Sequence, residues 1–211
     1  MTLLQTGRGS ATVRMKTVAK TVTKLDRTEV VGAALELVVR EGPAALTMRR
    51  LATELDVGTP TIYWHVGSRD ELVTAVIETQ SERLAARPVE GDTARERVLS
   101  AALHMYAGAI EHRSITSLAH QTGASSLLLG RLEAVLVAEL EAAGLDGEAL
   151  GSALRSILVV VTGALVLTLR DYANRPNDRD DAVWAGADLD VLTVDTLRAV
   201  VDHHIPREEP R

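Results

Sequence analysis

Cysteine and phenylalanine are both absent from this sequence, and its whole aromatic complement is two tryptophans and three tyrosines in 211 residues. Without cysteine there are no disulfides, no thiolate metal ligands and no thiol nucleophile, a composition that suits a reducing cytosol. Long apolar runs are also scarce. The longest, Ile157 to Leu169, falls short of the roughly 18 residues a membrane-spanning helix requires, and Arg155 and Arg170 flank it. It reads as a buried helix, and no membrane partner is expected. The first residues carry no extended apolar segment of the signal-peptide kind. There is no HExxH helix, no carboxylate–histidine cluster at ligand spacing and no glycine-rich phosphate loop. No catalytic residues, metal ligands or cofactor are therefore expected, and a metal enzyme is disfavoured.

What the sequence has in quantity is Ala, Leu, Val, Glu and Arg, with 46% hydrophobic residues. These are strong helix formers, and glycine-bounded β patterns are few, so the expected fold class is all-α. The net charge of −6 is unevenly spread. Residues 1–69 hold ten Lys/Arg and six Asp/Glu; residues 70–211 hold thirteen and twenty-three. A basic front joined to an acidic rear points to a polyanionic partner for the front alone. The front begins with five basic side chains and no acid in residues 1–25, which read as a basic N-terminal arm.

Helix signals then follow in order. Asp26 and Glu29 form a capping-box pattern, and Val30, Ala33, Ala34, Leu37 and Val38 make an apolar stripe at helical spacing. Gly42 and Pro43 end it. Thr47 is a natural N-cap for a second helix, with Met48, Leu51, Ala52 and Leu55 inward and Arg49, Arg50 and Thr53 outward. "DVG" breaks it. A third helix starts at Thr59, with Pro60 at its first position. Ser68 with Glu71, and Thr93 with Glu96, are two further capping boxes, opening helices toward Arg83 and Ile110. Gly123 and "GLDG" at 144–147 divide the next stretch. A long helix is expected over 149–173, then a polar loop "NRPNDRDD", then a helix over 189–204 stopped by Pro206.

Three short helices within some forty residues, the last two joined by "LDVG", read as a helix-turn-helix, whose second helix enters the DNA major groove. The segment "TPTIYWHV" is that second helix. Ile62 and Val66, four apart, share a face that packs on Leu51 and Leu55. Thr59, Thr61, Tyr63 and His65 are left outward with Trp64 at the flank, a set able to meet phosphates, thymine methyls and base edges. Arg49 has the planar fork that reads guanine, and Arg69 suits a phosphate. From pattern alone, an amphipathic helical hairpin with its rings in a core stays open as an alternative.

The stretch "ALTMRRLATELDVGTPTIYWHVGSRDELVTAV", within a match from about Asp26 to Ile77, resembles the DNA-binding region of TetR-family transcriptional regulators. The "PT.YWHV" variant is most similar to the tetracycline-repressor branch. By that resemblance, Arg49 takes the place of the guanine-reading arginine, with Arg50 beside it, and Thr47 that of a phosphate-binding cap. Thr59, Pro60, Thr61, Tyr63, Trp64 and His65 fall on the recognition helix, and Arg69 takes the place of a phosphate-binding lysine. Two departures imply a different operator: Thr59 stands where glutamine is frequent, and Gly67 where a basic residue is usual.

The resemblance also implies an effector pocket and a four-helix dimer interface, built from the helices over 149–173 and 189–204. Candidate ligand residues are His104, Met105, Tyr106, His112 and His120, with His104 and His112 placed on one helix. "EHRSITSLAHQTG" echoes a tetracycline-repressor stretch without its aspartate and glycine, so tetracycline–magnesium recognition is not expected. His203 and His204 read as a solvated helix end. The expectation is a cytoplasmic homodimeric repressor of three segments: an arm at 1–25, a helix-turn-helix domain at 26–72 and an effector-binding and dimerisation domain at 73–211. It would bind a palindromic double-stranded operator and be released by a small molecule. The alternatives are an activator, or a dimeric interaction protein with an idle reading head.

Overall fold

A computed structural model describes residues 25–173 and 189–205, and every regular element among them is helical. The basic arm, the "NRPNDRDD" loop and the stop at Pro206 lie outside the described residues. The elements are α1 (Arg27–Glu41), α2 (Met48–Glu54), α3 (Thr59–Val66), α4 (Arg69–Ala85), α5 (Ala94–Glu111), α6 (Arg113–Gln121), α7 (Ser125–Ala142), α8 (Gly147–Ala173) and α9 (Leu189–His204). A 3-10 turn at Pro43–Ala45, which periodicity did not reveal, connects α1 to α2.

The starts of the helices are set by side-chain caps. Asp26, Ser68 and Thr93 each accept from the backbone N–H three residues on, and Glu29, Glu71 and Glu96 each return the bond. Two free N–H groups are satisfied at each of these ends. Glycines set several of the stops. After α6 and α7 the chain turns through Gly123 and Gly144 with positive φ, and the next N–H reaches back five residues, from Ala124 to Ala119 and from Leu145 to Leu140. This is the Schellman arrangement, which closes off the last carbonyls.

Burial divides into two apolar clusters. The first holds Val30, Val31, Ala34, Leu35 and Val38 of α1, Leu51 of α2, Ile62 and Val66 of α3, and Leu72, Val73, Ala75, Val76 and Ile77 of α4. Ile115, Leu118 and Ala119 of α6 and Leu128 of α7 complete it. The front core thus runs past residue 72 and takes in α6. The second cluster joins Leu84, the inner faces of α5 and α7, and α8 with α9. Helix α4 spans both clusters, a continuous rod joining the front to the rear.

Helix α8 is 27 residues, and its Gly147–Thr168 part is long and apolar enough to cross a membrane by length and composition. Ala153, Ile157, Val161, Ala164 and Leu165 of that helix are instead buried at helical spacing in the second cluster. Polar ties fix the rear. Arg97 donates to both carboxylate oxygens of Glu139 at 2.8 and 2.7 Å, joining α5 to α7. Arg95 pairs with Asp202, and the Tyr106 hydroxyl donates to Asp190 Oδ1 at 2.5 Å, joining α5 to α9. His204 is no solvated end: half-buried, it meets Ser156 Oγ at 3.2 Å, and burial followed by the neighbouring His203 pushes its pKa down.

Candidate nucleic-acid interface

The reading head is built by the turn between α2 and α3. Leu55 caps α2, and Asp56 then adopts φ 54°, the left-handed region. Its N–H bonds Thr53 O at 3.3 Å, and the Val57 N–H reaches Ala52 O at 3.0 Å. This is again a Schellman closure, with aspartate where glycine is usual; aspartate is among the few side chains that tolerate the conformation. The tight reversal brings α3 back across α2, and Leu51, Ile62 and Val66 meet in one core.

Helical phase then decides what remains outside. Ile62 and Val66 are buried, while Tyr63 is 50% and Trp64 77% exposed. A tryptophan so exposed is not a core residue, and its ring meets His65 edge-on with 4.6 Å between centroids. Thr59, Thr61 and His65 are half-buried and Pro60 exposed. Gly58, not Thr59, is the N-cap, and it provides no side-chain bond. Pro60 therefore falls one position further in than the sequence reading placed it, still within the first turn where its missing N–H is harmless.

The basic residues separate by commitment. Arg50 donates to Glu41 at 2.7 Å and pairs with Glu54 at 3.4 Å, and Arg40 bonds the same two carboxylates. The network braces α2 against the end of α1. Arg49 is exposed, and its guanidinium has no partner among the described residues. The Arg69 Nε donates to Leu46 O at 3.2 Å, which holds the start of α4 beside the turn preceding α2. The Thr47 hydroxyl oxygen accepts from the Arg50 N–H at 3.1 Å, leaving its own proton free to donate outward. Gly67, where the sequence departs from the tetracycline repressors, has φ 71°, and a Cβ there would collide with the Glu71 carboxylate. The capping box of α4 thus demands the glycine. Bonds from the Ser68 backbone N–H and hydroxyl hold the Glu71 carboxyl below its ordinary range.

The rear candidates are dispersed. His104 is half-buried on α5, while Met105 and Tyr106 are buried in the second cluster. His112 is not on the same helix as His104: it caps the end of α5, where the chain breaks into α6. His120 is exposed near the end of α6. Among the described residues no group of three or more His, Asp or Glu is placed to hold a metal ion.

Fold and site together define an all-helical protein with a helix-turn-helix head at its front. Residues 30–76 match the family described as bacterial regulatory proteins, tetR family, and form a TetR-family helix-turn-helix domain. The tetracycline repressor protein class D of Escherichia coli is 43% identical over 53 residues, 25% of this chain and 24% of that protein. The curated relatives first matched are thus covered over about a quarter of their length. Among solved structures, SCO7222, a TetR from Streptomyces coelicolor, superposes with a TM-score of 0.67 at 21% identity, covering 88% of this chain and 100% of that one. Mycobacterium smegmatis BioQ gives 0.64 at 28% identity over 86% and 98%. BioQ with its natural double-stranded DNA operator gives 0.57 at 28% identity over 83% and 99%. The likeness in fold therefore extends well beyond the head.

Proposed function

We propose that this protein is a ligand-responsive transcriptional regulator, a repressor that binds a palindromic operator as a homodimer and is released by a small-molecule inducer. The observation that carries the reading is α3: a short helix anchored by Ile62 and Val66, with Tyr63 and Trp64 turned out to solvent and, on the preceding helix, an exposed Arg49 with no partner among the described residues. In a helix-turn-helix these are the positions that meet the major groove. Arg49 reads a guanine, Thr59, Pro60, Thr61, Tyr63, Trp64 and His65 divide base and backbone contacts, and Thr47 and Arg69 hold phosphates. Arg50 acts indirectly, by fixing α2. The match to the class D tetracycline repressor supports placing the head in that branch of the family, and the BioQ–operator structure supports duplex DNA as the partner.

The second subunit docks on α8 and α9. Val159 and Val166 of α8 are 72% and 59% exposed, and Val191 and Leu192 of α9 are about half exposed. This apolar strip, next to an otherwise well-buried core, fits a symmetric helical interface. Two heads held by such a dimer would read half-sites about 34 Å apart. The inducer acts by binding better to a head separation that does not fit DNA, a shift of populations. His104, Met105, Tyr106, His112 and His120 remain its candidate contacts. The protein works in the cytoplasm, where the operator is, and catalyses no reaction.

The experiment is a gel shift of the full-length protein on the DNA flanking its own gene, in graded salt. A specific complex is expected whose affinity falls linearly with salt on logarithmic axes. If selection from genomic fragments enriches no palindromic duplex, the reading fails.

A further inference from the structure

A cleft lies away from the reading face, where α1 of the front meets α4 and the junction of α5 with α6. It is a half-open groove of about 560 Å³, within the range of small-molecule sites, which is roughly 300–1,000 Å³. Leu35 and Leu84 are buried along it and Val39 is half exposed, an apolar surface otherwise without explanation. On α4, Gln80, Arg83 and Leu84 follow the spacing i, i+3, i+4, so one helix face lines the cleft, and Arg87 joins it from the turn just beyond the helix end.

Two polar groups in it are uncommitted. Gln80 is only 2% exposed, yet its side-chain amide makes no hydrogen bond among the described residues. No side-chain N or O among the described residues is fully buried without a partner, so the Gln80 amide still reaches the solvent of the cleft, where its hydrogen-bonding groups are open to a ligand. Arg83 also has no partner among the described residues. The other two arginines of the lining are engaged: Arg87 with Glu111 at 2.7 Å, and Arg40 with Glu41 and Glu54. The lining acids are Glu36, exposed on α1, and the already paired Glu111, so cations outnumber carboxylates.

We propose that this cleft binds a small amphipathic carboxylate. Its carboxylate accepts from the Arg83 guanidinium and the Gln80 amide, and its apolar tail lies on Leu35, Val39 and Leu84. Arginine suits the task because its planar fork matches both carboxylate oxygens. The proposal does not depend on the protein being a DNA-binding regulator.

The test is calorimetric titration of octanoate into the full-length protein. Octanoate is expected to bind, and 1-octanol, which lacks the carboxylate, at least tenfold more weakly. Arg83→Gln and Gln80→Leu should each weaken octanoate at least tenfold without lowering the melting temperature. Arg131→Gln, which removes an exposed pair with Glu82 outside the cleft, should leave it unchanged. Absence of binding at millimolar octanoate, equal affinity for octanol, or equal octanoate binding by the two cleft variants overturns the proposal. Any of these outcomes leaves the regulator reading standing, since no DNA enters the measurement.

Discussion

The Arg50 guanidinium donates to Glu41 at 2.7 Å and so fixes α2 to the end of α1, while its sequence neighbour Arg49 has no protein partner among the described residues. Adjacent arginines with the same charge therefore have different tasks. Arg49→Ala is expected to weaken operator binding by about 1–3 kcal/mol and to relax preference at one base pair. Arg50→Ala should lower the melting temperature and affect affinity uniformly across sequences. Quantitative gel shifts on a set of single-base operator variants separate the two. A uniform loss for Arg49→Ala would reduce it to a phosphate contact.

The same network makes the head sensitive to acid. The hydrogen bond from Arg50, then that from Arg40, holds the Glu41 carboxyl below its ordinary value of 4.5. A carboxyl depressed in the folded state stabilises the fold above its unfolded pKa, and this contribution is lost as pH falls through the folded value. Melting temperature should therefore drop on acidification below about pH 5, less steeply in Glu41→Gln than in the parent. Parallel thermal melts check this; identical slopes would mean that the ion pairs seen here carry no stability in solution.

Asp56 offers a test of the turn itself. At φ 54° an ordinary side chain is strained by about 1–2 kcal/mol, whereas glycine is not. Asp56→Gly should preserve or raise stability, and Asp56→Val should lower it by about that amount while tilting α3 off its seat. Urea unfolding provides the first measurement and operator affinity the second. A destabilising glycine would show that the aspartate side chain holds the turn by a bond of its own.

In the rear, burial and then the bond to Asp190 raise the pKa of Tyr106. A group whose folded pKa is raised stabilises below its unfolded value, near 10 for tyrosine, and that stability disappears as pH climbs through the folded value. Tyr106→Phe should cost about 1 kcal/mol at neutral pH, since Asp190 is exposed and solvent offsets part of the bond. It should also flatten the loss of stability above about pH 10. An unchanged alkaline limb in the variant would remove Tyr106 from the account.

Much of this was legible in the sequence because it is local. Capping boxes, apolar stripes and glycine stops are written within a few residues, so Asp26, Ser68 and Thr93 marked helix starts that the structure bears out. The phase of "TPTIYWHV" likewise separated Ile62 and Val66 from the exposed Tyr63 and Trp64. What was not legible depends on distant partners. Nothing near Arg50 in sequence says that Glu41 will claim it, nor does His204 announce Ser156, forty-eight residues away. The break at His112 escaped for another reason: "EHRS" contains no glycine or proline, and α6 begins at once after α5 without either. The cleft at Gln80 needs three elements from different parts of the chain, and no single window shows it.

The apolar strip on α8 gives the last prediction. Val159 and Val166 are seven residues apart, hence on one helix face, and both are largely exposed. Burying a valine removes apolar surface worth about 1.5–3 kcal/mol from water, and a two-fold interface doubles every such contact. A charge placed there has the opposite effect twice over. Val159→Glu and Val166→Glu should therefore leave the helical content and melting cooperativity of the subunit intact but shift sedimentation from dimer toward monomer. Because one head contacts only half of a palindrome, operator affinity should fall steeply with dilution in these variants. A variant that stays dimeric at micromolar concentration would move the interface away from this face of α8.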